Sequence, residues 1–206
     1  MENEIAATTA RIINKLYGNG EPDKAVLASL RAADTIDSKR AQAVWQVLFS
    51  EMSEKDISND PTGRPTYAET AIYTALRCYA IHQQAVEDSV YAQSFSKDKT
   101  KNPEGVTFFN ALAGLRTNDE TRVALDRRMQ ALLASRNLAN TVKSITQLTR
   151  ILKANNRTLK VDYAQLAQDL FFFETSFKMS NRICLKWGQQ YYRQPSKKVN
   201  NNEDKD

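Results

Sequence analysis

The chain has 206 residues, 41% of them hydrophobic and 26% charged, which suffices for a packed core and excludes global disorder. Only six glycines and five prolines favour long helices over a many-stranded sheet, so the expected class is all-α. The net charge of +5 is unevenly spread: between Asp126 and Asp162 lie eight Lys or Arg and no Asp or Glu, leaving −3 on the rest of the chain. A local positive field of this kind points to a polyanionic partner.

In chain order, Ile5, Thr9, Ile12, Ile13 and Leu16 follow steps of three and four and predict a first helix, which "YGNGEPD" stops. The glycine pair reads as a turn, because no strand precedes it as a phosphate loop requires. Pro22 or Asp23 starts a second helix, "KAVLASLRAA", and Ser38 a third, "KRAQAVWQVLFSEM". "SEKDISNDPTGRPT" is a surface loop, and the longest helical pattern of the first half then runs from Tyr67 to about Phe95.

The charged, proline-containing "SKDKTKNPEG" carries no periodicity and marks a boundary near residue 103. The expected organisation is two small helical bundles, 1–102 and 103–194, followed by a disordered tail, 195–206. In the second bundle a short "VTFFNALAGL" segment precedes a helix capped by Asn118. Next come a basic helix over residues 134–160, a helix capped by Asp162, and a last amphipathic helix from about Ser176 to Tyr192.

The basic helix carries the strongest signal. Arg136, Lys143, Arg150 and Arg157 are seven apart, and with Lys143 at zero the others fall within about 40° of it, with Lys153 about 80° away. Leu138, Ile145, Leu148 and Leu152 lie on the opposite side. An ordinary solvated face mixes Glu with Lys to gain i,i+4 pairs. This one excludes acids and accepts like-charge repulsion, which a phosphate backbone would relieve.

Other chemistries find little support. Zinc-finger spacing, a Walker loop, a glycine-flanked serine and the RNA-binding aromatic signature are all lacking. The single histidine, His82, has no obvious carboxylate or thiol partner in "RCYAIHQQ" and reads as structural. Cys78 and Cys184 read as buried hydrophobes, and Trp45, Trp187, Tyr191 and Tyr192 as core before base-stacking platforms. Neither a signal peptide nor a membrane span is predicted, so a cytoplasmic protein without catalytic residues, metal or cofactor is expected.

The ordered series "AVLASLRAA", "ALRCYAIHQQ", "GVTFFNALAGL", "RRMQALLASRNLANTVKSITQLTRILK", "VDYAQLAQDL" and "KWGQQYY" resembles CasB, the small-subunit family of the type I-E CRISPR surveillance complex Cascade. The resemblance implies an all-helical, non-catalytic subunit, present in two copies among other Cascade subunits. It also implies basic surfaces that support crRNA and target DNA and stabilise the displaced non-target strand of the R-loop. Carried onto this chain, the nucleic-acid-binding positions are Arg31, Arg122, Arg127, Arg128, Arg136, Lys143, Arg150 and Lys153. Ala32 departs from the family, whose members commonly have a second arginine there. The competing reading is a helical scaffold whose basic face docks an acidic protein.

Overall fold

Short polar side chains start the helices at the ends of turns. In the computed structural model, which describes residues 3–96, 98, 100–117 and 119–193, regular structure among those residues is helical. The helices are α1 (Glu4–Leu16), α2 (Lys24–Ala32), α3 (Gln42–Phe49), α4 (Tyr67–Gln83), α5 (Phe108–Gly114), α6 (Asp119–Ala134), α7 (Leu138–Asn155), α8 (Tyr163–Thr175) and α9 (Phe177–Tyr192). Asp23 caps α2 by accepting from Ala25 N and Val26 N, Asp162 caps α8 and Ser176 caps α9. At α4, Thr66 and Glu69 form a reciprocal capping box. The expected Asn118 cap and the tail 195–206 lie outside the described residues.

Helix α4 is the central element. Of its residues, 15 are buried, including its entire length from Ala71 to Gln83, as a helix surrounded by others requires. Helices α1, α2, α7 and α8 pack around it, and α9 closes the far side against α5, α6 and α8. There Trp187 is stacked between Phe109, at 4.8 Å, and Phe173, at 5.7 Å between ring centroids. The expected division near residue 103 falls in the loop between α4 and α5. One apolar core, running from Ile5 to Tyr191, passes across that loop.

The helix expected from Tyr67 to about Phe95 ends at Gln83. The buried Gln83 side chain takes over as organiser of the chain that follows, donating to Val86 O and Asp88 O and accepting from Val90 N, each at 2.9 Å. Gln84 is extended and Ala85 has φ 61°, so the helix cannot continue. The loop then passes beside Val161, which donates to Val90 O at 2.9 Å. Gly105 is fixed by this crossing: a Cβ there would stand 2.1 Å from Ala92 O.

Candidate nucleic-acid interface

The basic segment is shorter as a helix than its spacing predicts. Helix α6 ends at Ala134, and α7 begins only after Asn137, whose side chain accepts from Asn140 N at 3.1 Å. Asn156 ends α7 with its N–H on Leu152 O at 2.7 Å. Arg136 and Arg157 therefore lie beyond the helix, one at each end, and the helical stripe consists of Lys143, Arg150 and Lys153. Opposite them, Ile145, Leu148 and Leu152 are buried, as the pattern anticipates, together with Thr141 and Thr149, whereas Leu138 is only half-buried.

Arg136 is exposed but folds back on the end of α6. Its Nη1 donates to Leu133 O at 3.2 Å and Ser135 O at 3.3 Å, and its guanidinium lies 5.8 Å from the centre of the Phe177 ring. It satisfies carbonyls freed by the end of α6, which is a sufficient structural role. Lys143 and Arg150 make no hydrogen bond or ion pair among the described residues, and both are exposed. On α6, Arg122, Arg127 and Arg128 are exposed; Arg128 donates to Ala124 O at 3.1 Å, and Asp126 is held below its ordinary pKa chiefly by the hydrogen bond from Arg116, with a smaller contribution from the charge of Arg122.

Three cations from distant segments gather at the C-terminal end of α4. Arg31 on α2 donates to Ala80 O at 3.3 Å, Lys153 on α7 to Gln84 Oε1 at 2.7 Å, and Arg157 to Ala85 O. The last carbonyls of a helix lack intrahelical partners and carry its negative dipole end, so they attract cations. Among the described residues no carboxylate pairs with any of these three, although Glu21 and Glu87 line the cleft beside Arg31. Burial, and then the charges of Arg31 and Arg157, hold the Lys153 ammonium below its ordinary pKa, so the cluster is self-repelling. Arg157 is the residue that the carried-over set omits. Its membership depends on the fold bringing residues 31, 85 and 157 together, which no local pattern displays.

Beneath the cluster lies His82, fully buried, with Nδ1 2.8 Å from Tyr163 Oη and Nε2 3.1 Å from Asn156 O. A carbonyl only accepts, so Nε2 carries the proton and Nδ1 accepts from the tyrosine. Burial depresses its pKa, and Lys153 adds to the effect. His82 is a neutral strut joining α4, the end of α7 and α8. Cys78 is likewise buried, its thiol pushed up to about 11 by desolvation, and neither cysteine forms a disulfide.

A second basic face goes unremarked in the sequence reading. Helix α9 contains Lys178, Arg182 and Lys186 and no acid, and Arg193 follows it. Lys178, Arg182 and Arg193 are exposed beside Leu185, which is 63% exposed. Lys186 is instead engaged by Asp169 at 2.6 Å. The stretch without acids after Glu174 was the available signal.

Fold and surface together define an all-helical protein with cationic faces that has, among the described residues, no cluster of His, Cys, Asp or Glu able to hold a metal and no helix long and apolar enough to cross a membrane. The family model of the CRISPR-associated protein Cse2 matches residues 26–192, and the chain belongs to that family. That is a family of non-catalytic Cascade subunits, so the chain is a CRISPR Cascade subunit. Its fold is similar to the crystal structure of CasB from Thermobifida fusca, with a TM-score of 0.65 and 20% sequence identity over 94% of this chain and 100% of that one. No curated protein matches the sequence.

Proposed function

We propose that this Cascade subunit holds nucleic-acid backbones through its cationic faces, without reading sequence and without catalysing a reaction. The partners are crRNA, target DNA and the displaced non-target strand of the R-loop, with two copies of the chain beside the other Cascade subunits. The observation that carries the reading is the crowding of Arg31, Lys153 and Arg157, none of them paired with a carboxylate among the described residues although Glu21 and Glu87 line the cleft beside Arg31, flanked on α7 by the unpaired Lys143 and Arg150. Phosphates would relieve their mutual repulsion and release counterions. Guide pairing exchanges one duplex for another of similar stability, so such backbone contacts are enough to tip R-loop formation. Arg136 has a weaker claim than the other positions, because the end of α6 already employs it.

The test is fluorescence anisotropy of scrambled single-stranded DNA and RNA at several salt concentrations. With four or five phosphates engaged, log affinity against log salt should have a slope of about −3. Replacing Arg31, Lys153 and Arg157 by Gln leaves a hydrogen-bonding group at each carbonyl but removes the charge, and should make the slope shallower by about 2. An unchanged slope in the folded variant contradicts the reading.

A further inference from the structure

One cleft of the molecule is more than a charged surface. It lies between α4 and α7, encloses about 350 Å³, and is closed at one end by the 34–37 loop. That size, with mostly apolar walls and a few convergent polar groups, suits a small planar ligand. Ile36, Pro65, Leu138 and Val142 supply apolar lining. Arg77, only 5% exposed, contributes its guanidinium, with Nη1 donating to Thr146 Oγ1 at 3.1 Å and Nη2 to Asp34. Its Nε has no partner.

The lining also includes charges of opposite sign from different elements. Helix α7 provides Lys143 and Arg150, both unpaired. The 34–37 loop provides two carboxylates: Asp34, 87% exposed and bonded to Arg77 through Oδ1, and Asp37, which has no hydrogen bond or ion pair among the described residues. A plain phosphate track would be better without Asp34 and Asp37. A nucleotide uses both sets, because its phosphate is an anion and the exocyclic amino groups of adenine, cytosine and guanine are hydrogen-bond donors.

We propose that this cleft receives one unstacked, amino-bearing base of a single strand, with the flanking phosphates on Lys143 and Arg150 and the amino group toward Asp34 and Asp37. The assignment rests on the backbone-binding reading above and adds a pocket to it. It departs from that reading in one respect, a mild preference by base composition at this one cleft: strands of adenine or cytosine bind better than strands of thymine, which lacks an exocyclic amine.

The experiment uses the full chain and short single strands of (dA), (dC) and (dT), the first also carrying one central 2-aminopurine, which brightens when it leaves the stack of its neighbours. Ala139, exposed on the first turn of α7 and part of the cleft lining, is replaced by Trp to fill the space without altering charge. Val142→Phe serves if that variant fails to fold. Wild type should brighten the probe several-fold. The filled cleft should abolish the brightening, keep the salt slope, and weaken (dA) binding about tenfold, equivalent to ~1.4 kcal/mol. Asp37→Ala should remove the preference for (dA) and (dC) over (dT).

If the filled variant brightens the probe and binds as wild type does, the pocket is overturned while backbone binding stands. If it binds every strand normally but no longer assembles into Cascade, the cleft seats a protein side chain and the proposal is likewise overturned. If wild type binds no strand at all, the backbone reading itself fails and takes the pocket with it.

Discussion

Lys153 and Arg157 reach the two residues that follow α4 side by side: Nζ of Lys153 lies 2.7 Å from Gln84 Oε1, and the Arg157 guanidinium bonds Ala85 O. The contact places two like charges where α4 ends and where Arg31 arrives from α2. Removing charge there has two opposed consequences. It relieves repulsion within the free protein and removes attraction for a polyanion. Lys153→Gln should therefore leave thermal stability unchanged or slightly raised while weakening nucleic-acid binding, a combination that melting curves and anisotropy on one preparation would reveal. Weaker binding together with a large loss of stability would assign Lys153 a structural role instead.

His82 should make the protein acid-sensitive. Its folded pKa lies below its ordinary value, because burial and the nearby Lys153 disfavour the charged ring. The unfolded chain therefore takes up a proton first, and the stability contributed by the neutral imidazole is present above about pH 6.5 and declines as the pH falls below it. His82→Gln should show a smaller drop in melting temperature between pH 7.5 and pH 5 than wild type. Equal drops would remove His82 as the cause.

Glu174 behaves in the opposite sense. Desolvation raises its carboxyl to about 7, against a lesser lowering by Arg64, and Oε2 has no partner. The folded state thus favours the protonated form, and the stability this provides is complete below about pH 4.5 and is lost as the pH rises through about 7. Since the side chain is partly exposed, the effect is on the order of 1 kcal/mol. Glu174→Gln should be more stable than wild type at pH 8 and equal to it at pH 5. Urea titrations at the two pH values measure this.

Asp169 ties α8 to α9. It accepts from Gln165 Nε2 at 2.8 Å, Lys186 Nζ at 2.6 Å and Trp187 Nε1 at 3.0 Å, and is itself only 4% exposed. Asp169→Ala strands a buried indole N–H and removes the partner of Lys186, at a cost of about 3 kcal/mol. Trp187 emission provides the readout, and a loss below ~1 kcal/mol would contradict this account of the joint.

The division into two bundles is a proposal that unfolding can decide. Helix α8 packs on α1 and α4, which belong to the first segment, and on α9, which belongs to the second. A core shared in this way predicts one cooperative transition, seen identically by circular dichroism and by Trp187 emission. Two separated transitions would support independent bundles.

Helix starts were legible at Asp23, one of two candidates, and at Asp162 and Ser176, which cap the helices expected there. Ser38, expected to start the third helix, precedes only a 3-10 turn, Lys39–Ala41, without a side-chain cap bond, and α3 begins at Gln42. Ends were less legible. A seven-residue spacing of cations continues past Asn137 and Asn156, although both are good cap formers, so Arg136 and Arg157 read as helical when the chain has already turned. Likewise the apolar pattern after Tyr67 runs on to Phe95, while the Gln83 side chain ends the helix twelve residues earlier. The gathering of Arg31, Lys153 and Arg157, and the cleft joining Asp37 to Arg150, arise from tertiary packing between distant segments and have no local signature.

The central claim is that these cations stabilise the open R-loop from within Cascade. The most direct measurement is the lifetime of an R-loop formed by complexes reconstituted with wild type or with Lys143→Gln/Arg150→Gln/Lys153→Gln/Arg157→Gln, followed at several salt concentrations after the free complex is removed. The account predicts assembled complexes whose R-loops collapse at least tenfold faster with the variant, by a factor that narrows as salt rises. Equal lifetimes in equally assembled complexes would contradict it.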